Sequence, residues 1–364
     1  MKPTNEVIDV ILKIRKISEK LLCKLETGDI TIEECVSIVQ GFPKLIDALD
    51  SFVRKDIYAD YVEFFNSFKN FSLNCQNPVF LQENVYELAS SLGLFVECLD
   101  SIVDEYYKNT RRCKCCGEWV VYEPLSTYYK EMRIKAGVMG ESYPETLNEK
   151  EYLCPNCGSS DRDRLIVSFL EKLELNNAMK QEKLLQIAPA NVIEYWLEKN
   201  CKNLTYHSTD LFMDEVTFKS DIQDMNMVAD GSYDFFICSH VLEHVQDDRK
   251  AMGELYRILS QDGVGIFLVP IDLNDAETDE EWGLSEEENW RRFGQGDHCR
   301  RYAKQDLITR LREAGFCVHE LGLDYFGKGT FKECGLLDRS ILYILTKSSE
   351  PVEVIIDKIK IQRV

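Results

Sequence analysis

The sequence predicts an α/β protein whose second half is an open sheet with helices on both faces, preceded by an N-terminal all-helical domain and a four-cysteine insert. Three observations predict it. Apolar residues recur at helical spacing through the first hundred or so positions; two Cys-x-x-Cys-Gly pairs follow; and beyond residue 160 helical stretches alternate with short apolar runs closed by Gly, Asp or Pro. The boundaries read as a helical bundle over 1–110, a four-cysteine module over 111–160, a sheet domain over 161–350 and a tail over 351–364. A length of 364 residues supports more than one core, and 45% hydrophobic with 29% charged residues is ordinary globular composition.

In residues 1–110, Leu12, Ile14, Ile17, Leu21 and Leu22 recur near a 3.6 period, and Thr31-Ile-Glu-Glu34 has capping-box form. From Gln82 to Lys108 one long helix is expected, with Val85, Leu88, Leu92, Leu94, Phe95, Leu99, Ile102 and Val103 along one side. This region has no His, and its acids are scattered as on a solvated face. It reads as a packing or dimerising domain, through which a homo-oligomer is expected.

Cys113-Lys-Cys-Cys-Gly117 and Cys154-Pro-Asn-Cys-Gly158 each bring two thiols round one metal ion, and each closing Gly allows amides to point at the sulfurs. Cys113, Cys116, Cys154 and Cys157 together complete a tetrahedral thiolate set, read as structural Zn2+. A rubredoxin-like iron site and a redox dithiol are the alternatives, and Cys115 is a spare able to displace Cys113. The other cysteines read as reduced thiols, because the N-terminus, Met-Lys-Pro-Thr-Asn-Glu, has no secretory-signal pattern; a cytoplasmic location is expected. No apolar run is long enough to span a membrane.

Six runs then read as strands: Leu184 to Ile187, Leu204 to Ser208, Tyr233 to Cys238, Gly265 to Val269, Cys317 to Leu321 and Ile341 to Leu345. Such sheets bind ligands outside the carboxyl ends of their strands. Val352 to Ile356 and Ile359 to Ile361 alternate well enough for a further edge strand.

Asp221-Ile-Gln-Asp-Met225, Asp230-Gly-Ser-Tyr-Asp-Phe-Phe-Ile-Cys-Ser-His-Val-Leu-Glu-His-Val245, Glu254-Leu-Tyr-Arg-Ile-Leu259 and Asp262-Gly-Val-Gly-Ile-Phe-Leu-Val-Pro270 form an ordered series. It resembles the class I S-adenosylmethionine-dependent methyltransferases of the type 11 kind. More narrowly, it is similar to the bacterial subgroup that joins a Cys-Pro-x-Cys-Gly-Ser knuckle to this fold and carries a segment like Phe293-Gly-Gln-Gly-Asp-His-Cys-Arg-Arg-Tyr302. The resemblance covers about residues 113 to 347 and implies a Rossmann-like seven-stranded methyltransferase sheet binding S-adenosylmethionine.

The resemblance makes Asp210, 24 residues after Gln186, the ribose ligand. Asp221 corresponds to the acceptor of the adenine amino group, with Ile222 beside the ring; either acid is alternatively a turn residue or helix cap. Ser239, directly after the run Tyr233 to Cys238, joins the expected cofactor contacts. The first-strand loop, Gln186-Ile-Ala-Pro-Ala190, departs from the common acid and Gly-x-Gly turn and replaces it with a stiff Ala188-Pro turn. Arg162 and Arg164 offer bidentate partners for the methionine carboxylate, or else pair with Asp161 or Asp163.

Methyl transfer needs alignment, exclusion of water and, for a hydroxyl acceptor, removal of a proton. Three of the five His, namely His240, His244 and His298, gather where this fold places the methyl. They are the candidate bases, with Glu243 and Asp297 to orient them. Arg291-Arg292 and Arg300-Arg301 read either as a site for an anionic acceptor or as an ion-paired face, and Thr278 to Asn289 as a mobile lid. A small-molecule or glycan hydroxyl is the expected acceptor. The net charge of −20 opposes nucleic acid, though RNA methylation with a zinc module is the second enzymatic reading. A non-catalytic methyltransferase-like scaffold is the third.

Overall fold

Each of the six apolar runs beyond residue 160 forms a strand in the computed structural model, and the short strand Phe218–Lys219 makes a seventh. The residues described are 4–44, 46–47, 59–138, 142–173 and 182–361. They fall into two compact units. One holds the residues up to Thr110 with Trp119–Val121, the other Arg111–Glu118 and everything from Tyr122.

The first unit contains the helices Thr4–Thr27, Ile32–Val39, Ala59–Asn74, Pro78–Glu83 and Val85–Asn109. The Thr31 capping box forms, with Glu34 N–H bonded to Thr31 Oγ1 and Thr31 N–H to Glu34 Oε2. Leu88, Leu92, Phe95, Leu99 and Ile102 share one buried stripe against Ile11, Ile14 and Leu21. Phe68 stacks on Phe95 with ring centroids 4.6 Å apart. Leu94 and Ile17 leave the expected faces and are exposed, because Leu94 lies about 100° round the helix from Phe95.

In the second unit the large sheet has strands β1 Lys183–Ile187, β2 Thr205–Asp210, β3 Phe218–Lys219, β4 Tyr233–Ser239, β5 Leu259–Leu268, β6 Cys317–Leu321 and β7 Leu342–Thr346. Their spatial order is β3-β2-β1-β4-β5-β7-β6. Pairings from β3 through to β5 are parallel, whereas β7 lies antiparallel between β5 and β6. The chain leaves β1 in one direction to β2 and returns to its other side at β4, so a switch point lies between β1 and β4. Leu185, Phe236, Leu255, Phe267 and Leu307 lie in the core beneath it.

Val352–Ile361 forms a helix, not the edge strand its alternation predicts. Val352, Ile355, Ile356 and Ile359 are buried, and their i, i+3, i+4, i+7 spacing is the helical signal that the shorter alternation hid. The last three tail residues, 362–364, lie outside the described residues. Among the described residues no helix is long and apolar enough to cross a membrane.

Candidate active site and four-cysteine cluster

The cluster comes first in the chain. Gly117 and Gly158 have φ of 81° and 74°, the left-handed conformation that glycine adopts without penalty. Each turn closes by a backbone bond, Gly117 N–H to Cys113 O and Gly158 N–H to Cys154 O. The turns gather ligand atoms from Cys113, Cys116, Cys154 and Cys157, all within 4.8 Å of one another. Sγ of Cys113 lies 3.8 Å from that of Cys157, and Cys116 Sγ 4.0 Å from Cys154 Sγ. A tetrahedron with metal–sulfur bonds of about 2.3 Å has edges of about 3.8 Å, so this donor set fits a tetrahedral ion. Cys115 is buried outside the set, and Ser159 Oγ lies 3.4 Å and 3.3 Å from the Cys113 and Cys157 sulfurs.

The knuckle leads into the helix Asp161–Leu173, capped by Ser160, whose hydroxyl and amide meet the Asp163 carboxylate at 2.8 Å each. The two candidate arginines diverge here. Arg164 is fully buried and donates to the carbonyls of Glu151, Tyr152, Ser159 and Cys334, with its guanidinium 3.6 Å from the Tyr122 ring centroid. It pairs with neither neighbouring acid and is committed to bracing the module. Arg162 reaches the sheet instead, its Nη1 3.1 Å from both ring nitrogens of His240.

At the carboxyl ends of the strands, Gln186 Oε1 accepts from Tyr206 Oη at 3.0 Å. Ala188, without glycine, takes φ of 49°, so the turn keeps a left-handed backbone despite its Pro. Asp210 ends β2, and its Oδ1 accepts from the amides of Phe212 and Met213 at 2.7 and 2.8 Å. Asp221 Oδ1 likewise accepts from Gln223 N–H at 2.8 Å, and Ile222 beside it is buried. Both acids therefore hold turns at the strand ends. Ser239 is the last residue of β4. A separate cavity of about 340 Å³, lined by Lys183, His207 and Tyr233 among others, opens at the amino ends of β1 and β4.

The imidazoles do converge. His240 follows β4 directly, with its amide bonded to Leu268 O at 2.8 Å. Glu243, on the 3-10 turn Leu242–His244, has no exposed surface and places Oε1 3.2 Å from His240 Nδ1 and 3.9 Å from His244 Nε2. His244 Nδ1 lies 3.2 Å from the Asp297 carbonyl and 3.4 Å from its carboxylate. The His244 and His298 rings meet edge to face at 4.7 Å. Burial pushes His240 down, helped by the Arg162 charge, and pushes His298 down to about 4. Both are thus neutral at neutral pH. Burial works against ionisation of Glu243, but His240, His298 and His244 together hold the carboxyl below its ordinary range.

The segment carrying His298 is tied to the loop carrying Glu243. Cys299 N–H donates to Glu243 O at 2.8 Å, and Arg300 donates to the carbonyls of Leu242, Val245 and Gln246. The same arginine pairs with Glu280 at 3.0 Å, which also takes Arg310 at 2.9 Å. The expected mobile lid is anchored accordingly. Asp279–Glu280 pairs antiparallel with Arg300–Arg301, and Ser285 caps the helix Glu286–Phe293. Arg292 pairs with Asp279 and Glu281, Arg291 with Glu288, and Arg301 with Asp275. The acidic run and the basic pairs neutralise one another, which is the ion-paired face of the two alternatives. Arg300 as the strap of the histidine loop is not legible in the sequence, since its partners there are main-chain carbonyls.

A seven-stranded sheet with one antiparallel strand and titratable groups massed at its switch point is an open α/β architecture of the kind that holds ligands outside the carboxyl ends of its strands. Residues 168–321 match a family described as "Methyltransferase domain". That stretch, which runs from within the helix Asp161–Leu173 to the end of β6, is a methyltransferase domain. No curated protein matches the chain. It is similar to the solved structure of the YcgJ protein from Bacillus subtilis, at 14% identity over 50% of this chain and 98% of that one, TM-score 0.32. Similar too are a SAM-dependent methyltransferase from Archaeoglobus fulgidus, at 12% identity over 51% and 93%, TM-score 0.34, and one from Aquifex aeolicus, at 12% over 48% and 86%, TM-score 0.29.

Proposed function

We propose that this enzyme transfers the methyl group of S-adenosylmethionine to a hydroxyl of a small-molecule or glycan acceptor, with the four-cysteine cluster holding a structural zinc ion. The observation that carries it is the gathering of His240, His244 and His298 beyond the end of β4, around one buried carboxylate. Asp210 and Asp221 stand at the same edge of the sheet. The outer oxygen of Asp210 suits the ribose hydroxyls; Asp221, whose Oδ2 takes the Gln223 side-chain amide at 3.1 Å, suits the adenine amino group through its second lone pair, and Ile222 suits the ring.

When bound, the donor supplies a methyl already activated by a positive sulfur. This chain's residues do the rest. Arg162 is the remaining arginine for the methionine carboxylate. His240, neutral and oriented by Glu243, accepts the proton of the acceptor hydroxyl. His244, Asp297 and His298 border the acceptor side. The net charge of −20 favours an acceptor other than a polyanion. Zinc in a closed thiolate set has no open position, so its part is to hold the 111–160 module in shape.

Calorimetric titration of the purified, metal-replete protein with the demethylated cofactor tests the reading. One saturable site is expected, weakened in Asp221→Ala. No heat of binding with the metal intact overturns it.

A further inference from the structure

We propose that Glu243, His244 and His298 form a second metal site, for a first-row divalent cation of which zinc is the best match, whose open position takes an oxygen of the methyl acceptor. The last clause rests on the hydroxyl-transfer reading above; the metal site does not.

One ligand atom from each of the three residues lies within 4.8 Å of the other two. A second observation is independent of that distance. Glu243 has no exposed surface, and neither carboxylate oxygen makes a hydrogen bond, although His240 Nδ1 stands 3.2 Å from Oε1. His298 is 6% exposed, and its Nδ1 is also buried without a partner. Buried polar atoms almost always find partners. Here the orphans on Glu243 and His298 belong to two chain segments whose ligand atoms meet in one cluster, and a cation there supplies the partners that are missing. Two imidazoles with one carboxylate form a catalytic zinc ligand set that keeps a position open.

The surroundings fit the same role. Asp297 holds His244 Nδ1 from behind, as an outer carboxylate or carbonyl does for a metal-bound imidazole. Cys299 and Arg300 bond the two ligand segments together, so the donors are held ready before an ion arrives. His240, with Arg162 beside it, meets Glu243 at Oε1.

The test uses the full-length protein with its four-cysteine site filled, titrated with cobalt(II). About one further equivalent is expected to bind, with the weak visible absorption of nitrogen and oxygen ligation and no thiolate charge-transfer band. Glu243→Gln and His298→Ala should each weaken it at least 100-fold, and Asp297→Asn by about 10- to 100-fold. Absence of a further equivalent in the unsubstituted protein, uptake accompanied only by a thiolate band, or undiminished uptake in both ligand variants overturns the site. Titrating the same samples with demethylated cofactor separates the two proposals. Cofactor binding without the extra cobalt leaves the methyl-transfer reading standing and sinks the metal; cobalt without cofactor does the reverse.

Discussion

Ala188 and His240 end neighbouring strands in the same strained backbone. Ile187 and Cys238 are register partners in β1 and β4, and just beyond them Ala188 and His240 have φ of 49° and 56°. Among the described residues they are the two non-glycine positions in the left-handed region. Both sit at the switch point, where open sheets hold ligands and where strain of this kind collects. The first-strand turn thus makes, with an alanine, the backbone excursion for which such loops commonly use glycine.

Replacing Ala188 by glycine removes a left-handed cost of about 1–2 kcal/mol and adds about 0.5–1 kcal/mol of chain entropy. Ala188→Gly should therefore leave the thermal midpoint unchanged or raise it. Ala188→Val, β-branched at the same φ, should lower it clearly. A glycine variant markedly less stable than the parent contradicts the assigned conformation.

Asp210 has two duties that substitution can separate. Its Oδ1 holds the turn through the Phe212 and Met213 amides, and the proposed ribose contact needs its charge. Asparagine keeps a carbonyl oxygen for the turn. Asp210→Asn should melt near the parent temperature while binding demethylated cofactor about 10-fold more weakly, a hydrogen bond to a charged group being worth about 1.5–3 kcal/mol. Asp210→Ala should lose both. Unchanged affinity in both variants leaves Asp210 as a turn residue alone.

Arg310, then Arg300, hold the Glu280 carboxyl down to about 2 from an ordinary 4.5. A carboxyl lowered on folding stabilises the native state fully above its unfolded pKa, and the contribution is lost as pH falls through the folded value. Urea midpoints of the parent and Glu280→Gln should differ most near about pH 6 and converge near about pH 2. Glu280 is partly exposed, so added salt should shrink the difference. A gap independent of pH speaks against the pairing with Arg310.

The architecture is largely legible in the sequence because strand runs and the two knuckles are local patterns. Tyr233 to Cys238 and Leu184 to Ile187 announce buried parallel strands by their mostly continuous apolar character. The terminal helix is obscured because Val352 to Ile361 satisfies two periods at once, and burial of one face decides between them. The histidine cluster is half legible. His240 and His244 share a local motif, but the contact of His298 with His244 depends on Arg300 and Cys299 bonding to carbonyls more than fifty residues away. Main-chain acceptors carry no sequence signature, so neither that strap nor the carbonyl cage of Arg164 shows in residue identities.

That cage leads to the last expectation. Arg164 is a fully buried cation whose partners are the carbonyls of Glu151, Tyr152, Ser159 and Cys334 and the Tyr122 ring, with no carboxylate among its hydrogen-bond partners. Arg164→Met keeps the bulk and strands those carbonyls, at about 1–3 kcal/mol for each left unsatisfied. A loss of about 3 kcal/mol or more in urea unfolding is expected, with zinc retention by the 111–160 module falling alongside it. Arg164→Lys restores a charge but only part of the fork geometry, so it should lie between. The discriminating readout is cofactor affinity in folded Arg164→Lys protein. A bracing residue leaves it at the parent value, whereas a partner of the methionine carboxylate weakens it without moving the unfolding midpoint.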